Sequence, residues 1–138
     1  MEREFLLKGD TTITFSTPSM KFKKWKFEAI EFKENSAEIT DPMKPDLDKL
    51  IMFLSDHPNL GLKISGHTDS RGNPDDNLRL SQARADAIKE YLVREGRFQD
   101  TRIEATGYGS SRPIVANEVS EEDRRINRRV EFEIVRME

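Results

Sequence analysis

Cysteine is absent from the 138 residues. No disulfide framework, thiolate nucleophile, zinc–thiolate site or cysteine-borne lipid can therefore be built. Histidine occurs only as His57 and His67, which excludes a multi-histidine metal site. No apolar run approaches the roughly 20 residues that a bilayer-spanning helix needs. The opening MEREFLLKGD lacks the long apolar stretch of a signal peptide. Glycine (7) and proline (6) are too few for a low-complexity chain, and no period of roughly 20–50 residues repeats. The net charge of -3 argues against general polyanion binding. What remains is one domain's worth of chain. Its charged fraction (36 %) matches its hydrophobic fraction (35 %), which implies a lean core under a heavily charged surface.

Periodicity organises that chain. Thr11–Phe15 is β-branched and aromatic, and residues 16–19 read as a turn around Pro18. FKKWKFEAIEF, residues 22–32, alternates in part (Trp25, Phe27, Ala29) and reads as one long strand or two joined by a bend. From Asp41-Pro42 the period becomes helical, with a capping carboxylate before proline. Leu47, Leu50, Ile51 and Leu54 form its apolar stripe, and the helix should stop before Pro58. Residues 60–66 read as a strand and 66–73 as a polar loop. Asn73-Pro74-Asp75-Asp76 starts a second helix that should run to about Glu95, closed by Gly96. A third strand follows at 102–106. Residues 115–123 read as irregular. Arg129–Val135 alternates, with Val130, Phe132 and Ile134 inward and Glu131 and Glu133 outward. The order strand, helix, strand, helix, strand, strand predicts an α+β fold: a βαβαββ two-layer sandwich, its mixed sheet covered by helices on one face.

One feature of the second helix stands out. Leu80, Ala83, Ala87, Ile88, Tyr91 and Leu92 define an apolar arc at about 100° per residue. Arg84 falls near its middle and Asn77 close beside it. A buried guanidinium is costly unless its charge is paired and its donors are bonded. The nearest candidate in sequence is the loop before the helix, where Asp69 follows the strand. Two readings follow. Asp69 and Arg84 form an internal salt bridge that locks loop to helix. Alternatively they form a pocket for a zwitterionic ligand, whose carboxylate the planar guanidinium grips.

Gly66-His67-Thr68-Asp69, then Gly72, Asn77, Leu80-Ser81, Arg84-Ala85 and Tyr91-Leu92, closely resemble the signature of OmpA-like peptidoglycan-binding domains. Gly107-Tyr108-Gly109 with Pro113, and Asn127-Arg128-Arg129-Val130, agree with it. The resemblance covers about residues 29–136, and leaves 1–28 as an N-terminal extension with room for extra strands. It implies a βαβαββ domain that grips the peptide stem of peptidoglycan, mainly through meso-diaminopimelate, without catalysis or cofactor. Carried over, it places Asp69 on the ligand's amino group and Arg84 on its carboxylate, with Asn77 supplementing them. Asn35 falls where the family often has a pocket-lining Asn or Asp. Arg128 matches a position that reaches the ligand from the last strand. Its parity with Val130 and Phe132 points it toward the helices, and Arg129 away. Arg71 stands where some members carry a small hydroxyl residue. The resemblance further implies the periplasm of a diderm bacterium. There the chain would be a fragment of a longer protein that tethers an outer-membrane barrel or lipoprotein to the wall.

Competing readings are weaker. His67-x-Asp69 offers too few ligands for a metal. Residues 69–73 lack the acid spacing of an EF-hand loop. Gly107-Tyr108-Gly109 is too short for a phosphate fingerprint. The cluster Arg124, Arg125, Arg128 and Arg129 follows Glu121, Glu122 and Asp123 and is locally neutralised, which disfavours nucleic acid. Three alternative functions remain: the wall-binding end of a flagellar stator or similar envelope machine, a wall hydrolase, and a protein-interaction domain with a purely structural Asp69–Arg84 pair. No nucleophile–base pair is visible for the hydrolase.

Overall fold

A computed structural model describes residues 3–7, 11–15, 24–28 and 32–137, with side chains from residue 32 onward. The strands are β1 (Arg3–Leu7), β2 (Thr11–Phe15), β3 (Lys24–Glu28), β4 (Leu60–His67), β5 (Ile103–Gly107) and β6 (Arg129–Arg136). The helices are α1 (Lys44–Asp56), α2 (Pro74–Gly96) and α3 (Glu121–Asn127). β1 and β2 pair antiparallel as a sheet of their own. The other four strands form one sheet in the order β3-β6-β4-β5. β6 runs antiparallel to both β3 and β4, whereas β4 and β5 are parallel. A parallel neighbour requires a crossover. α2 supplies it, packing on β4 and β5 while α1 packs on α2. The result is the expected α+β sandwich with a mixed sheet.

Side-chain period decides which face meets the helices. Along β6, Val130, Phe132 and Ile134 are buried, while Glu131 and Glu133 are half-buried on the opposite face. Leu62 and Ile64 of β4, Ile103 of β5, Met43, Leu47, Leu50, Phe53 and Leu54 around α1, and Ile88 and Leu92 of α2 complete the core. Tyr91 joins the two helices by donating its hydroxyl to Asp48 at 2.8 Å. Burial, and then Asp48, push that phenol up to about 12.

The helix ends depart from expectation in instructive ways. A short 3-10 turn, Asp41–Met43, precedes α1, so Asp41 lies inside the turn rather than before it. Its carboxylate caps nothing and pairs with Lys44 at 3.1 Å. Asn73 does cap α2, accepting from the N–H groups of Asp75 and Asp76 at 2.8 and 3.2 Å. Gly96 remains helical, and Arg97 adopts the left-handed conformation that closes the helix. Glycine serves a different need there, because a Cβ on Gly96 would lie 2.4 Å from the Phe98 ring. The buried face of α2 is also turned from the expected arc. Ser81 and Ala85 are buried and Ala83 is exposed.

Residues 121–127, partly assigned above to an irregular segment, form α3. Ser120 accepts from the Asp123 N–H at 3.1 Å, and Asp123 accepts from the Val119 N–H at 2.9 Å. The arrangement is a variant of the capping box, in which Asp123 reaches back to the N–H of Val119, one residue before the cap, rather than to that of Ser120. The strand expected over 22–32 is present at Lys24–Glu28 and pairs along β6, so the main sheet includes residues before 29. The side chains of Trp25 and Phe27, and residue Ala29, whose alternation suggested that strand, lie outside what the structure describes.

Candidate functional site

The loop after β4 is held at both sides by backbone and hydroxyl hydrogen bonds. Thr68 N–H donates to the Gly109 carbonyl at 2.8 Å, and Tyr108 N–H to the Gly66 carbonyl at 2.9 Å. The Ser81 hydroxyl accepts from Gly109 N–H at 2.9 Å. These bonds need the ends of β4 and β5 to touch α2. Glycine permits it: a Cβ on Gly107 would fall 2.2 Å from the Gln82 backbone nitrogen. The loop carrying Asp69 is thus fixed between two strand ends and the first turns of α2.

Asp69 is 5 % exposed. One carboxylate oxygen accepts from Arg71 N–H at 2.9 Å. The other accepts from the Arg71 guanidinium at 3.1 Å and the Arg128 guanidinium at 2.8 Å. Burial would raise this carboxyl, but the bonds from Arg128 and Arg71 outweigh it and hold the group below its ordinary value. Asn77 supports the loop: its amide donates to the Arg71 carbonyl at 2.8 Å and the Asp69 carbonyl at 3.5 Å.

The internal Asp69–Arg84 salt bridge is absent. Arg84, 7 % exposed, donates to the Ser36 carbonyl at 2.9 Å and the Lys33 carbonyl at 3.2 Å. Its guanidinium carbon sits 5.0 Å from the centre of the Phe32 ring. Among the described residues, no carboxylate forms an ion pair with it. Burial depresses its pKa and the Arg128 charge depresses it further. Asp69 has two arginines closer to hand, and Arg84 lies against the segment before α1. Among the described residues, two of its five N–H donors are occupied.

Asn35 contributes through its backbone. Its φ of 57° is left-handed, a conformation asparagine tolerates. The turn is closed by Ser36 N–H donating to the Lys33 carbonyl at 3.0 Å. That turn aims the carbonyls of Lys33 and Ser36 at Arg84, while the Asn35 side chain is exposed.

Arg128 is not on the last strand. It follows α3 as its C-cap, and β6 begins one residue later. It nevertheless faces Asp69 and also pairs with Glu121. Burial would lower its pKa, but Glu121 and Asp69 raise it. Arg129 shares the outer face with Glu131, as its parity requires, and bonds it at 2.8 Å. It is buried there rather than solvated, donating also to the Asn127 and Arg112 carbonyls.

A second layer was not evident from the sequence. The Glu118 carboxylate accepts from the Ser70 hydroxyl at 2.6 Å, from the Ser70 N–H at 3.1 Å, and from the Asn127 amide at 2.6 Å. Burial would raise its pKa, and the Ser70 and Asn127 bonds lower it. Asn127, fully buried, also accepts from the N–H groups of Ile114 and Val115 at 2.8 and 2.9 Å. Residues 114–118 therefore form a strap tied to the Asp69 loop. The signal available was Ser120-x-x-Asp123, which marks the start of α3 and places Asn127 at its end.

Arg71, Arg84 and Arg128 balance Asp69, Glu118 and Glu121 across this cluster. Such an arrangement suits a ligand carrying both charges rather than a simple anion. Among the described residues, no group of three or more His, Cys, Asp or Glu side chains could hold a metal ion, and no helix is long and apolar enough to cross a membrane.

Comparison with known proteins adds an independent line. The model of the OmpA family matches residues 31–128. Outer membrane porin F of Pseudomonas aeruginosa is 40 % identical over 105 residues, which cover 76 % of this chain and 30 % of the porin. A peptidoglycan-associated lipoprotein of Buchnera aphidicola is 39 % identical over 85 residues, 62 % of this chain and 49 % of the lipoprotein. The chain thus spans half or less of the length of these two relatives. Among solved structures, the cell wall anchor of the T6SS from Pseudomonas aeruginosa aligns with TM-score 0.73 at 27 % identity. The alignment covers 88 % of this chain and 86 % of that one. The peptidoglycan-associated lipoprotein from Burkholderia pseudomallei aligns with TM-score 0.66 at 28 % identity, covering 80 % of this chain and 88 % of that one.

Proposed function

The chain belongs to the OmpA family, and from that premise we propose that it binds the peptide stem of peptidoglycan noncovalently and acts as a wall anchor. The observation that carries the proposal is Arg84: a buried guanidinium held by two carbonyls and an aromatic ring, with no described carboxylate paired to it. A ligand carboxylate would supply the missing charge. The adjacent ligand ammonium would meet Asp69, whose depressed pKa keeps it ionised. Diaminopimelate in the stem carries both groups on one carbon. Asn77 and Arg128 hold the Asp69 loop in place, and Asn35 sets the turn behind Arg84. The relatives' names, an outer membrane porin and a peptidoglycan-associated lipoprotein, support a periplasmic location and a tether to the outer membrane within a longer protein. In this reading residues 29–136 are the binding unit, and residues 1–28 are an extension that adds the edge strand Lys24–Glu28 to its sheet. The domain performs no reaction.

Purified diaminopimelate-type sacculi provide the test. The domain should co-sediment with them and release no soluble fragments. The Arg84→Ala variant, its fold verified by its NMR spectrum, should remain in the supernatant. Liberated muropeptides would indicate a hydrolase. Equal sedimentation of wild type and variant would remove Arg84 from the site.

A further inference from the structure

The Asp69 carboxylate accepts from two guanidinium groups, and these two partners differ sharply. Arg128 is only 18 % exposed in its side chain and is shared with Glu121. Arg71 is 61 % exposed, and among the described residues Asp69 is its only ion-pair partner. The Arg71 backbone bond to Asp69 does not depend on where its side chain lies. A ligand ammonium that approaches the buried Asp69 from solvent meets the exposed Arg71 guanidinium, and of the two guanidinium partners Arg71 is the one that can leave.

We propose that Arg71 is a specificity-determining residue, which holds the ammonium position on Asp69 and, once displaced by a ligand, pairs with the carboxylate beside the incoming ammonium. The inference rests on the zwitterion-binding reading above and deepens it. The Arg71 guanidinium stands in for the ligand's ammonium. A ligand bearing an ammonium alone loses the Arg71–Asp69 contact and returns nothing to Arg71. A ligand bearing ammonium and carboxylate on one carbon breaks the same contact but restores it in another form. Arg71 thus disfavours the wrong ligand while leaving the right one nearly unaffected, as specificity by repulsion or competition requires. Arg84 reads the same carboxylate from the buried side, so the two arginines divide the task. Exposed ion pairs are worth little, so the expected effect is a few-fold change rather than loss of binding.

The test compares two soluble stem peptides that differ only at the third residue, meso-diaminopimelate against lysine, titrated into wild type and Arg71→Ala. Wild type should prefer the diaminopimelate peptide. In the variant the lysine peptide should bind about two- to five-fold tighter, the size of one exposed ion pair. The diaminopimelate peptide should bind equally or more weakly, so the preference ratio falls. If both peptides tighten by the same factor, Arg71 only competes. If both weaken by the same factor, it only shapes the loop. Either outcome overturns this inference while leaving the zwitterion site intact. Binding of neither peptide to wild type would overturn the site itself. Arg71→Lys separates charge from geometry, and should retain part of the preference.

Discussion

Replacing Arg84 with methionine separates a charge that serves the fold from a charge that serves a ligand. Were Arg84 half of a buried ion pair, removing it would strand a carboxylate and cost about 3–5 kcal/mol. The geometry gives it two carbonyl partners instead, at 2.9 and 3.2 Å. Hydrogen bonds to a charged donor are worth about 1.5–3 kcal/mol each, but the substitution also removes the desolvation penalty of an unpaired guanidinium, several kcal/mol in the opposite sense. The carbonyls of Lys33 and Ser36 lie in a partly exposed turn, where water can replace the arginine. Methionine retains most of the aliphatic stem against Phe32. The net change in stability should therefore stay within about 1.5 kcal/mol. Urea denaturation followed by tryptophan fluorescence measures it, and with a slope of about 1–3 kcal/mol/M the midpoint should move by about 1.5 M or less. Binding of a stem peptide should fall by at least about 30-fold, because truncating one side of a desolvated charge pair costs about 2–5 kcal/mol. A loss of 3 kcal/mol or more in stability together with unchanged binding would refute the reasoning, since Arg84 would then have an internal anion.

Three other perturbations follow from the same geometry. The carboxyls of Asp69, Glu118 and Glu121 all titrate lower in the folded chain than their ordinary values of 3.8, 4.5 and 4.5. The stability they supply is present above those values and is lost as pH falls through the folded ones. Urea midpoints should be flat in these groups from pH 7 to about 5 and decline below about 4.5, with Asp69→Asn reducing the slope. Asn127→Ala removes the partner of two backbone N–H groups and of Glu118. It should cost about 2–4 kcal/mol and speed hydrogen exchange at Ile114 and Val115 before the rest of the chain. Gly107→Ala drives a Cβ to 2.2 Å from the α2 backbone, so it should cost about 1–3 kcal/mol and shift the amide resonances of Ser81 and Gln82.

Periodicity made most of the architecture legible. The stripe Leu47, Leu50 and Leu54, the cap Asn73, and the alternation Val130, Phe132 and Ile134 each depend on neighbours within a few residues, and each is found as expected. The buried Arg84 was also legible, because a charge inside an apolar arc is a local contradiction. Its partner was not. Choosing between Asp69 and the Lys33–Ser36 carbonyls depends on how the segment before α1 folds back on α2, a contact separated by 48 residues or more. The same limit hid Glu118 and Asn127, whose bonds to Ser70 and to residues 114–115 form only once the strap crosses the loop. The end of α2 misled for another reason. Gly96 supplies space for Phe98, and the left-handed residue that glycine usually provides is Arg97.

The central claim is that one pocket, with Asp69 and Arg84 as its two poles, takes the zwitterionic end of a peptidoglycan stem. An NMR titration of the wild-type domain with a soluble diaminopimelate-containing stem peptide tests it most directly. Saturable shifts concentrated at Asp69, Asn77, Arg84 and the Lys33–Ser36 turn, and lost in Arg84→Met, are the predicted result. Shifts elsewhere on the domain, or none at millimolar peptide with the domain folded, would contradict it.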